Sequence, residues 1–206
     1  MRQSRHTLQG DLYAVAEGQG GYFTAAQAVA AGYRYPQQVY QRRIGAWEPI
    51  DHGLFRLRDF PPGDHEDLIR WSLWSRDRRG AIRATVSHET AADLYNLGDV
   101  MPARIHLTVP PGFRKPAPDG TVLHVARLAP GDIAERGGFR ITTPTRTALD
   151  LAASPLAEDQ FAKVLRDALR SGLIRRKHLA EAAMTDEARR RIERALATIG
   201  EEDGDA

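Results

Sequence analysis

Cysteine is absent from this 206-residue chain, which excludes disulfide bonds, thiolate zinc sites and cysteine nucleophiles. No apolar run approaches the roughly 20 residues needed to cross a bilayer, so we expect that the chain is not a membrane protein. The first eight residues carry Arg2, Arg5 and His6 but lead into no apolar core. We therefore expect no secretory signal and a cytoplasmic location. Net charge is only +2, so composition alone does not indicate a nucleic-acid partner.

Hydrophobic residues make up 42% of the chain and charged residues 27%, which is ordinary for a globular protein. The length suits a small module joined to a larger domain. Charge is unevenly distributed along the chain. Arginines cluster at residues 42–43, 56–58 and 76–83, whereas the chain ends in an acidic tail over residues 201–206. The body is therefore more basic than the total suggests.

Two short helices joined by a glycine turn are predicted near the N-terminus, after a first helix that contains Leu8, Leu12 and Val15. Thr24 is a good N-cap for residues 25–31, and Gln27 completes a capping box. Gly32 follows as the expected C-terminal stop. Pro36 then suits the first turn of the next helix, which continues to Arg43. Helix, short turn and helix form the helix-turn-helix signature.

A β-hairpin is predicted directly after these helices. Its strands are residues 47–50 and 54–58, joined by a tight turn at residues 51–53. Alternation along the second strand places Phe55 and Leu57 on one face and Arg56 and Arg58 on the other. The hairpin is therefore expected to be a wing with a basic outer face.

The sequence predicts an α+β protein, with a winged helix-turn-helix at residues 1–60 and a mixed α/β domain with a helical C-terminus at residues 64–200. The Pro- and Gly-rich residues 60–63 are the expected linker, and Asp64 is the expected cap of the next helix. Strands are predicted at residues 81–86, 104–109, 121–128 and 139–141. Helices are expected after Ser87, after Thr143-Pro144 and from residue 155 to residue 200.

The second helix of the helix-turn-helix has polar side chains suited to base edges. Projection at 100° per residue separates two arcs. The predicted outer arc contains Gln37, Gln38, Gln41 and Arg42, and the predicted inner arc contains Pro36, Val39, Tyr40, Arg43 and Ile44. Glutamine pairs with adenine and arginine with guanine in the major groove. Arg34, Arg56 and Arg58 are expected to contact phosphate, and Arg43 is expected to contact either phosphate or an acidic side chain of the protein itself. A solvated surface or a protein-binding face remains the alternative.

Catalytic and metal chemistry is weakly represented in the sequence. In Ser87-His88-Glu89, the serine stands where an N-cap belongs, so we interpret the motif as helix capping. His106 and His124 are expected to be neighbours if their strands pair, but two histidines do not define a zinc site. No phosphate-binding glycine loop is present. We expect no enzyme activity, no cofactor and no metal.

The last predicted helix, residues 186–199, has an apolar stripe that must be covered. The stripe contains Ala188, Ile192, Ala195, Leu196 and Ile199. It either closes the second domain or forms a dimer interface, and closure is the commoner arrangement.

Six segments together resemble the AbiEi-type antitoxins. In the N-terminal module they are residues 21–28 (GYFTAAQA), 39–43 (VYQRR) and 47–57 (WEPIDHGLFRL). In the second domain they are residues 86–92 (VSHETAA), 105–110 (IHLTVP) and 141–152 (ITTPTRTALDLA). The resemblance spans roughly residues 8–155. It implies a transcriptional regulator that binds operator repeats near its own promoter, which favours two copies on DNA. It also implies antagonism of a nucleotidyltransferase-like toxin.

Three functional hypotheses follow from these observations. The first is a sequence-specific repressor of the antitoxin type that binds double-stranded DNA. The second is a protein-binding module that neutralises a toxin without binding DNA, which the near-neutral net charge keeps open. The third, an enzyme that acts on nucleic acid, requires clustered carboxylates or a metal site that the sequence does not supply.

Overall fold

The structure of the protein, a computed structural model, describes residues 5–204, with side chains described for residues 8–200. It contains two compact units. Unit 1 comprises residues 1–84 and 135–139, and unit 2 comprises residues 85–134 and 140–206. The expected α+β class is confirmed. The acidic side chains predicted as a tail lie outside the described residues.

Unit 1 begins with three helices and a hairpin in an order compatible with a winged helix. Its elements are α1 (Arg5–Glu17), β1 (Tyr22–Thr24), α2 (Ala25–Ala30), α3 (Tyr35–Arg43), β2 (Trp47–Asp51), β3 (Leu54–Leu57) and α4 (Glu66–Trp74). The sheet is antiparallel with the order β1-β3-β2. β1 was not predicted, because a three-residue strand directly before a helix cap is too short to show an alternating pattern.

Aromatic side chains form the core of unit 1 beneath α1. Phe23 and Phe55 are cross-strand partners, and Trp47 packs edge-on against Phe23 with 4.7 Å between ring centroids. Tyr33 also packs edge-on against Trp47, with 4.9 Å between ring centroids. Leu8, Leu12 and Ala16 of α1 are buried at four-residue spacing against this cluster. The hairpin is therefore anchored in the same core as the helices.

Helix α4 belongs to unit 1, so the compact units divide after Ala84 rather than at the predicted linker. Its Glu66 carboxylate accepts a hydrogen bond from the Tyr22 hydroxyl of β1 at 3.4 Å. The predicted Asp64 cap is wrong: His65 occupies the N-cap position with φ of 60°, and the Gly63 N–H donates to Glu66 at 3.0 Å. The boundary predicted at residues 60–63 rests on local sequence, which does not show what the following helix packs on.

Unit 2 contains most of a five-stranded sheet and five helices in the described residues. Its strands are β4 (Thr85–Val86), β5 (Ile105–Val109), β6 (Thr121–Val125), β7 (Ile133–Arg136) and β8 (Phe139–Thr142), of which the last two cross the boundary between the units. Its helices are α5 (His88–Leu94), α6 (Pro144–Ala152), α7 (Glu158–Arg170), α8 (Arg176–Glu181) and α9 (Asp186–Gly204), with a short 3-10 helix at Pro130–Asp132.

The sheet has the order β6-β5-β4-β8-β7. β4 and β8 are parallel and lead directly into α5 and α6, so both helices start at the same edge of the sheet. β5 is antiparallel to β4 and parallel to β6. The strand predicted from residue 81 is confined to β4, and β7 was not predicted.

The C-terminal helices bury an apolar core of their own. Phe161, Val164 and Leu165 of α7 are fully buried with the stripe of α9. The structure therefore confirms that the α9 stripe closes this domain. Arg191 of α9 is also buried and donates hydrogen bonds to the Leu151, Ala152, Ser154 and Leu156 carbonyls at the end of α6. No helix in the described part of the chain is long and apolar enough to cross a membrane.

Candidate nucleic-acid interface

The turn between α2 and α3 is built by three local signals that the sequence contains. Thr24 caps α2 and forms the predicted capping box with Gln27. Gly32 ends the helix with φ of 93°, a conformation that glycine adopts without steric cost. Pro36 lies in the first turn of α3, where a backbone N–H would have no partner within the helix, so proline costs no hydrogen bond there. These predictions are confirmed, and they set where α3 begins.

The glutamines of α3 face inward, so the predicted orientation of this helix is wrong. Gln38 is only 6% exposed, and its Nε2 donates to the Tyr33 carbonyl at 3.2 Å. Gln37 folds back to accept the Arg34 backbone N–H at 2.8 Å. Gln41 is half-buried on the same side. Gln37 and Gln38 face the protein because their amides satisfy backbone groups at the start of a short helix.

The outward side of α3 is basic and apolar instead. Val39, Tyr40 and Ile44 are 37%, 53% and 51% exposed, although the sequence assigned them to the inner arc. Arg43, assigned with them, is also exposed. The sequence argument assumed that the apolar side of an amphipathic helix must be buried. Here the aromatic core beneath α3 is already filled by Tyr33, Trp47 and Phe55, so the apolar side chains of α3 remain outside.

Positive charge on this surface is uncompensated within the helix. α3 contains no acidic residue and ends in Arg42 and Arg43. Arg34 precedes it at the N-cap position and is exposed. The Arg42 guanidinium carbon lies 5.7 Å from the centroid of the Phe55 ring, which directs this arginine toward the hairpin. Three arginines thus surround an exposed helix without a neighbouring carboxylate on it.

The two wing arginines have different environments. Arg58 is exposed, lies against Gly45 and makes a loose 3.6 Å ion pair with Glu48. Arg56 has a side chain only 13% exposed, pairs with Glu66 at 2.7 Å and lies over the Tyr22 ring. The predicted outward position of Arg56 is therefore wrong, because α4 supplies a carboxylate that covers this face of β3. Arg58 alone remains on the solvent side.

Arg76, which follows α4, holds the tip of the hairpin and was not identified from the sequence. Its guanidinium donates to the Gly53 carbonyl at 3.0 Å and to the His52 carbonyl at 3.2 Å. It also donates to Leu73 at 2.6 Å, so the wing turn is joined to the end of α4. Burial lowers the Arg76 pKa, and Asp51 opposes that effect. No local pattern links residues more than twenty positions apart, so sequence offered no signal for this contact.

A separate polar cluster lies in unit 2, where three histidines meet. The prediction that His106 and His124 are neighbours is confirmed: β5 pairs with β6, and His124 Nε2 lies 3.2 Å from His106 Nδ1. His88 completes the group by stacking on His124 with 3.5 Å between ring centroids. The Ser87 hydroxyl lies 2.9 Å from His88 Nδ1 and accepts a hydrogen bond from Thr108 at 2.8 Å. Ser87 therefore occupies the N-cap position without capping α5 by its side chain, contrary to the prediction.

These histidines are neutral near pH 7. Burial, followed by the charges of His124, His106 and Arg146, lowers the pKa of His88 to about 3. Burial and His106 lower the pKa of His124 to about 4, and burial lowers the pKa of His106. Within the described residues, no group of three or more histidine, aspartate or glutamate side chains is arranged to hold a metal ion. The cluster is thus a packed, uncharged part of unit 2.

An acidic side chain nearby has an unusual environment. Burial raises the pKa of Asp150 to about 6, although Arg146 opposes the shift through a 2.9 Å ion pair. Arg146 also forms a 3.4 Å ion pair with Asp132, so its guanidinium is paired with two carboxylates. The start of α6 is a capped helix terminus, because the Thr143 side chain accepts the Arg146 backbone N–H and Pro144 follows it.

Comparison with known proteins places the chain in a family. The model of the AbiEi antitoxin C-terminal domain matches residues 84–199, more than half of the chain. The fold is similar to the crystal structure of the Rv2827c protein from Mycobacterium tuberculosis, with a TM-score of 0.60 at 16% identity, covering 97% of this chain and 79% of that one. Among curated proteins, no sequence matches. The matched residues include the second-domain segments that suggested the resemblance, and the chain belongs to the AbiEi antitoxin family.

Proposed function

We propose that the chain is a sequence-specific DNA-binding regulator in which unit 1 is a winged helix-turn-helix and α3 enters the major groove. The observation that carries this proposal is the outward face of α3, which is exposed, basic and free of acidic residues. A helix of this size fits the major groove, and arginine side chains supply both phosphate and guanine contacts.

The geometry suggests new roles for the arginines. At 100° per residue, Arg43 lies near the centre of the exposed arc and Arg42 at its edge. We assign Arg43 to a base edge and Arg42, Arg34 and Arg58 to phosphates, because these three flank the exposed helix rather than project from its middle. The buried Gln38 and the paired Arg56 make no DNA contact in this proposal. Gln37 and Gln41 remain at the margin of the interface.

The proposal is tested by fluorescence-anisotropy titration against a duplex from just upstream of the chain's own gene, beside a scrambled duplex, at two salt concentrations. Preferential, salt-sensitive binding of the upstream duplex supports a regulator that represses its own operon. Arg43→Ala should cost about 1–3 kcal/mol on the upstream duplex and reduce the preference over the scrambled one. Absence of binding to both duplexes at low salt would remove the DNA-binding proposal.

Within this proposal the regulator is also an antitoxin in the cytoplasm. Membership of the AbiEi antitoxin family supports a toxin partner. The resemblance in the sequence suggests a nucleotidyltransferase-like enzyme as that partner. Co-purification of the chain with such an enzyme encoded beside its gene, together with rescue of growth on co-expression, tests this step. Growth arrest that persists despite expression of the chain would contradict it.

A protein-binding role for unit 1 is the second candidate function. Tyr35, Val39, Tyr40 and Ile44 are large apolar or aromatic side chains that face solvent, and exposed apolar patches mark protein interfaces. In that case, toxin binding would be lost on Tyr40→Ala, and no DNA duplex would bind. The titration above separates this candidate from the first.

A further inference from the structure

The centre of the exposed α3 face has an unusual composition for a helix proposed to recognise bases. Val39 and Arg43 are four residues apart and therefore lie one turn apart on the same face. Tyr40 lies beside them, and all three are exposed. The amides that commonly recognise adenine are directed elsewhere: Gln38 bonds the Tyr33 carbonyl and Gln37 bonds Arg34. The Val39 isopropyl group, the Tyr40 phenol and the Arg43 guanidinium are left to meet the bases, and Val39 is the purely apolar one.

The major groove offers one apolar group to such a face. Among the four bases, only thymine presents a methyl carbon there, at C5, and apolar side chains distinguish it from cytosine and the purines. Val39 has no hydrogen-bonding atom in its side chain, so its contact with any other base edge would leave a polar atom without a partner. Its chemistry therefore matches the thymine methyl.

From this arrangement we propose that Val39 is a specificity-determining residue that contacts the C5 methyl of a thymine next to the base bound by Arg43. The inference rests on the proposed DNA binding of α3 and adds the class of base that it selects. The predicted methyl contact can be tested separately from the phosphate contacts, because removing a methyl group from the DNA changes no charge.

The test compares thymine with deoxyuridine, which differs by the methyl group alone. The duplex upstream of the gene is amplified with either thymidine or deoxyuridine triphosphate and titrated with the full chain. Burial of one methyl group is worth about 0.8 kcal/mol, so the wild type should bind the deoxyuridine duplex about fourfold more weakly for each methyl contacted. The slope of affinity against salt concentration should be the same for both duplexes.

Two variants assign the effect to one side chain. Val39→Ala should bind the thymine duplex about as weakly as wild type binds the deoxyuridine duplex, and should not distinguish the two. Val29→Ala is the matched control, since Val29 is another exposed valine of unit 1 but lies on α2. It should keep the wild-type ratio. Circular dichroism verifies that each variant is folded, and alanine at position 39 favours the helix.

Each result has a definite meaning. Equal affinity of the wild type for the two duplexes overturns the methyl contact while leaving DNA binding intact. A ratio that persists in Val39→Ala places methyl recognition on another residue and also overturns the proposal. Failure of the wild type to bind either duplex removes the proposed function itself, and then loss of toxin binding in Val39→Ala identifies the face as a protein interface.

Discussion

Arg56 and Glu66 show how one ion pair changes the meaning of a basic residue. The pair joins β3 to α4 at 2.7 Å, and Glu66 also accepts hydrogen bonds from Gly63 and Tyr22. Burial alone would raise the pKa of Glu66, but the Gly63 N–H and Arg56 hold it below its ordinary value. Arg56 is therefore a structural cation of unit 1.

Replacing Arg56 should lower stability rather than DNA recognition. Arg56→Ala leaves the Glu66 carboxylate without its cation, which should reduce the free energy of unfolding by about 1–2 kcal/mol, measured by urea denaturation. Arg58→Ala is the control, since its exposed pair with Glu48 is worth roughly 0–1 kcal/mol. Arg58→Ala should instead weaken DNA binding. A folded Arg56→Ala protein with reduced DNA affinity would contradict this division of roles.

The histidine cluster gives unit 2 a pH dependence with a defined sign. His88 and His124 have pKa values of about 3 and 4 in the folded chain, below the ordinary 6.5. Between these values and 6.5 the unfolded chain binds more protons, so stability should fall as pH is lowered from about 6.5 toward 4. Asp150, with its raised pKa of about 6, acts in the opposite direction, because its protonated form is favoured in the folded chain.

His88→Asn isolates the histidine contribution. His88 has φ of 53°, a conformation that asparagine tolerates better than most residues. The difference in unfolding free energy between pH 7 and pH 4.5 should be smaller in His88→Asn than in the wild type, as measured by urea denaturation at each pH. Comparing the two proteins cancels the effects of Asp150, Glu89 and Arg146. An equal pH dependence in both would show that His88 is not held neutral in the folded chain.

At the scale of elements, capping signals predicted where α2 and α3 begin and end, whereas helical periodicity did not predict which side of α3 is buried. Thr24, Gly32 and Pro36 act through hydrogen bonds and backbone angles within a few residues, so the sequence alone indicates them. Which side of α3 is exposed to solvent depends instead on which side chains fill the core beneath the helix. Ser87 shows the same limit, because its hydroxyl contacts Thr108, which is 21 positions away.

The joint between α9 and α6 is an element-scale contact with a testable energy. Arg191 donates to several carbonyls at the end of α6 and lies 4.9 Å from the Phe161 ring centroid. Arg191→Met keeps most of the side-chain volume but leaves buried carbonyls without donors, which should lower the free energy of unfolding by about 3 kcal/mol. Arg190→Met, on the exposed side of α9, should change it by less than about 0.5 kcal/mol.

Chemical denaturation of both variants measures this difference directly. Equal stability of Arg191→Met and Arg190→Met would mean that the α6 carbonyls find other partners. Sequence alone does not separate Arg191 from the neighbouring arginines of α9, because only the fold distinguishes a buried arginine from exposed ones in the same run. The apolar stripe itself was predictable from its spacing alone.

At the scale of the whole molecule, a net charge of +2 hides a local excess of positive charge. At α3 the exposed arginines are Arg34, Arg42 and Arg43, the helix itself contains no carboxylate, and Arg58 adds a fourth arginine that is weakly paired with Glu48. DNA affinity in the proposed function therefore depends on one surface rather than on overall composition. The salt dependence of DNA binding reports the number of phosphate contacts that this surface makes.

The salt dependence of binding also reports how many copies of the chain bind one duplex. With three phosphate contacts per copy, from Arg34, Arg42 and Arg58, the slope of log affinity against log salt should be about −2.7 for one copy and about −5.4 for two. Arg34→Ala should make the slope shallower by about 0.9 for each bound copy, whereas Arg189→Ala, on the exposed side of α9, should leave it unchanged. Anisotropy titrations at four salt concentrations supply both slopes. A change of about 1.8 in Arg34→Ala would identify two copies on an operator with repeats, and an unchanged slope would show that Arg34 contacts no phosphate.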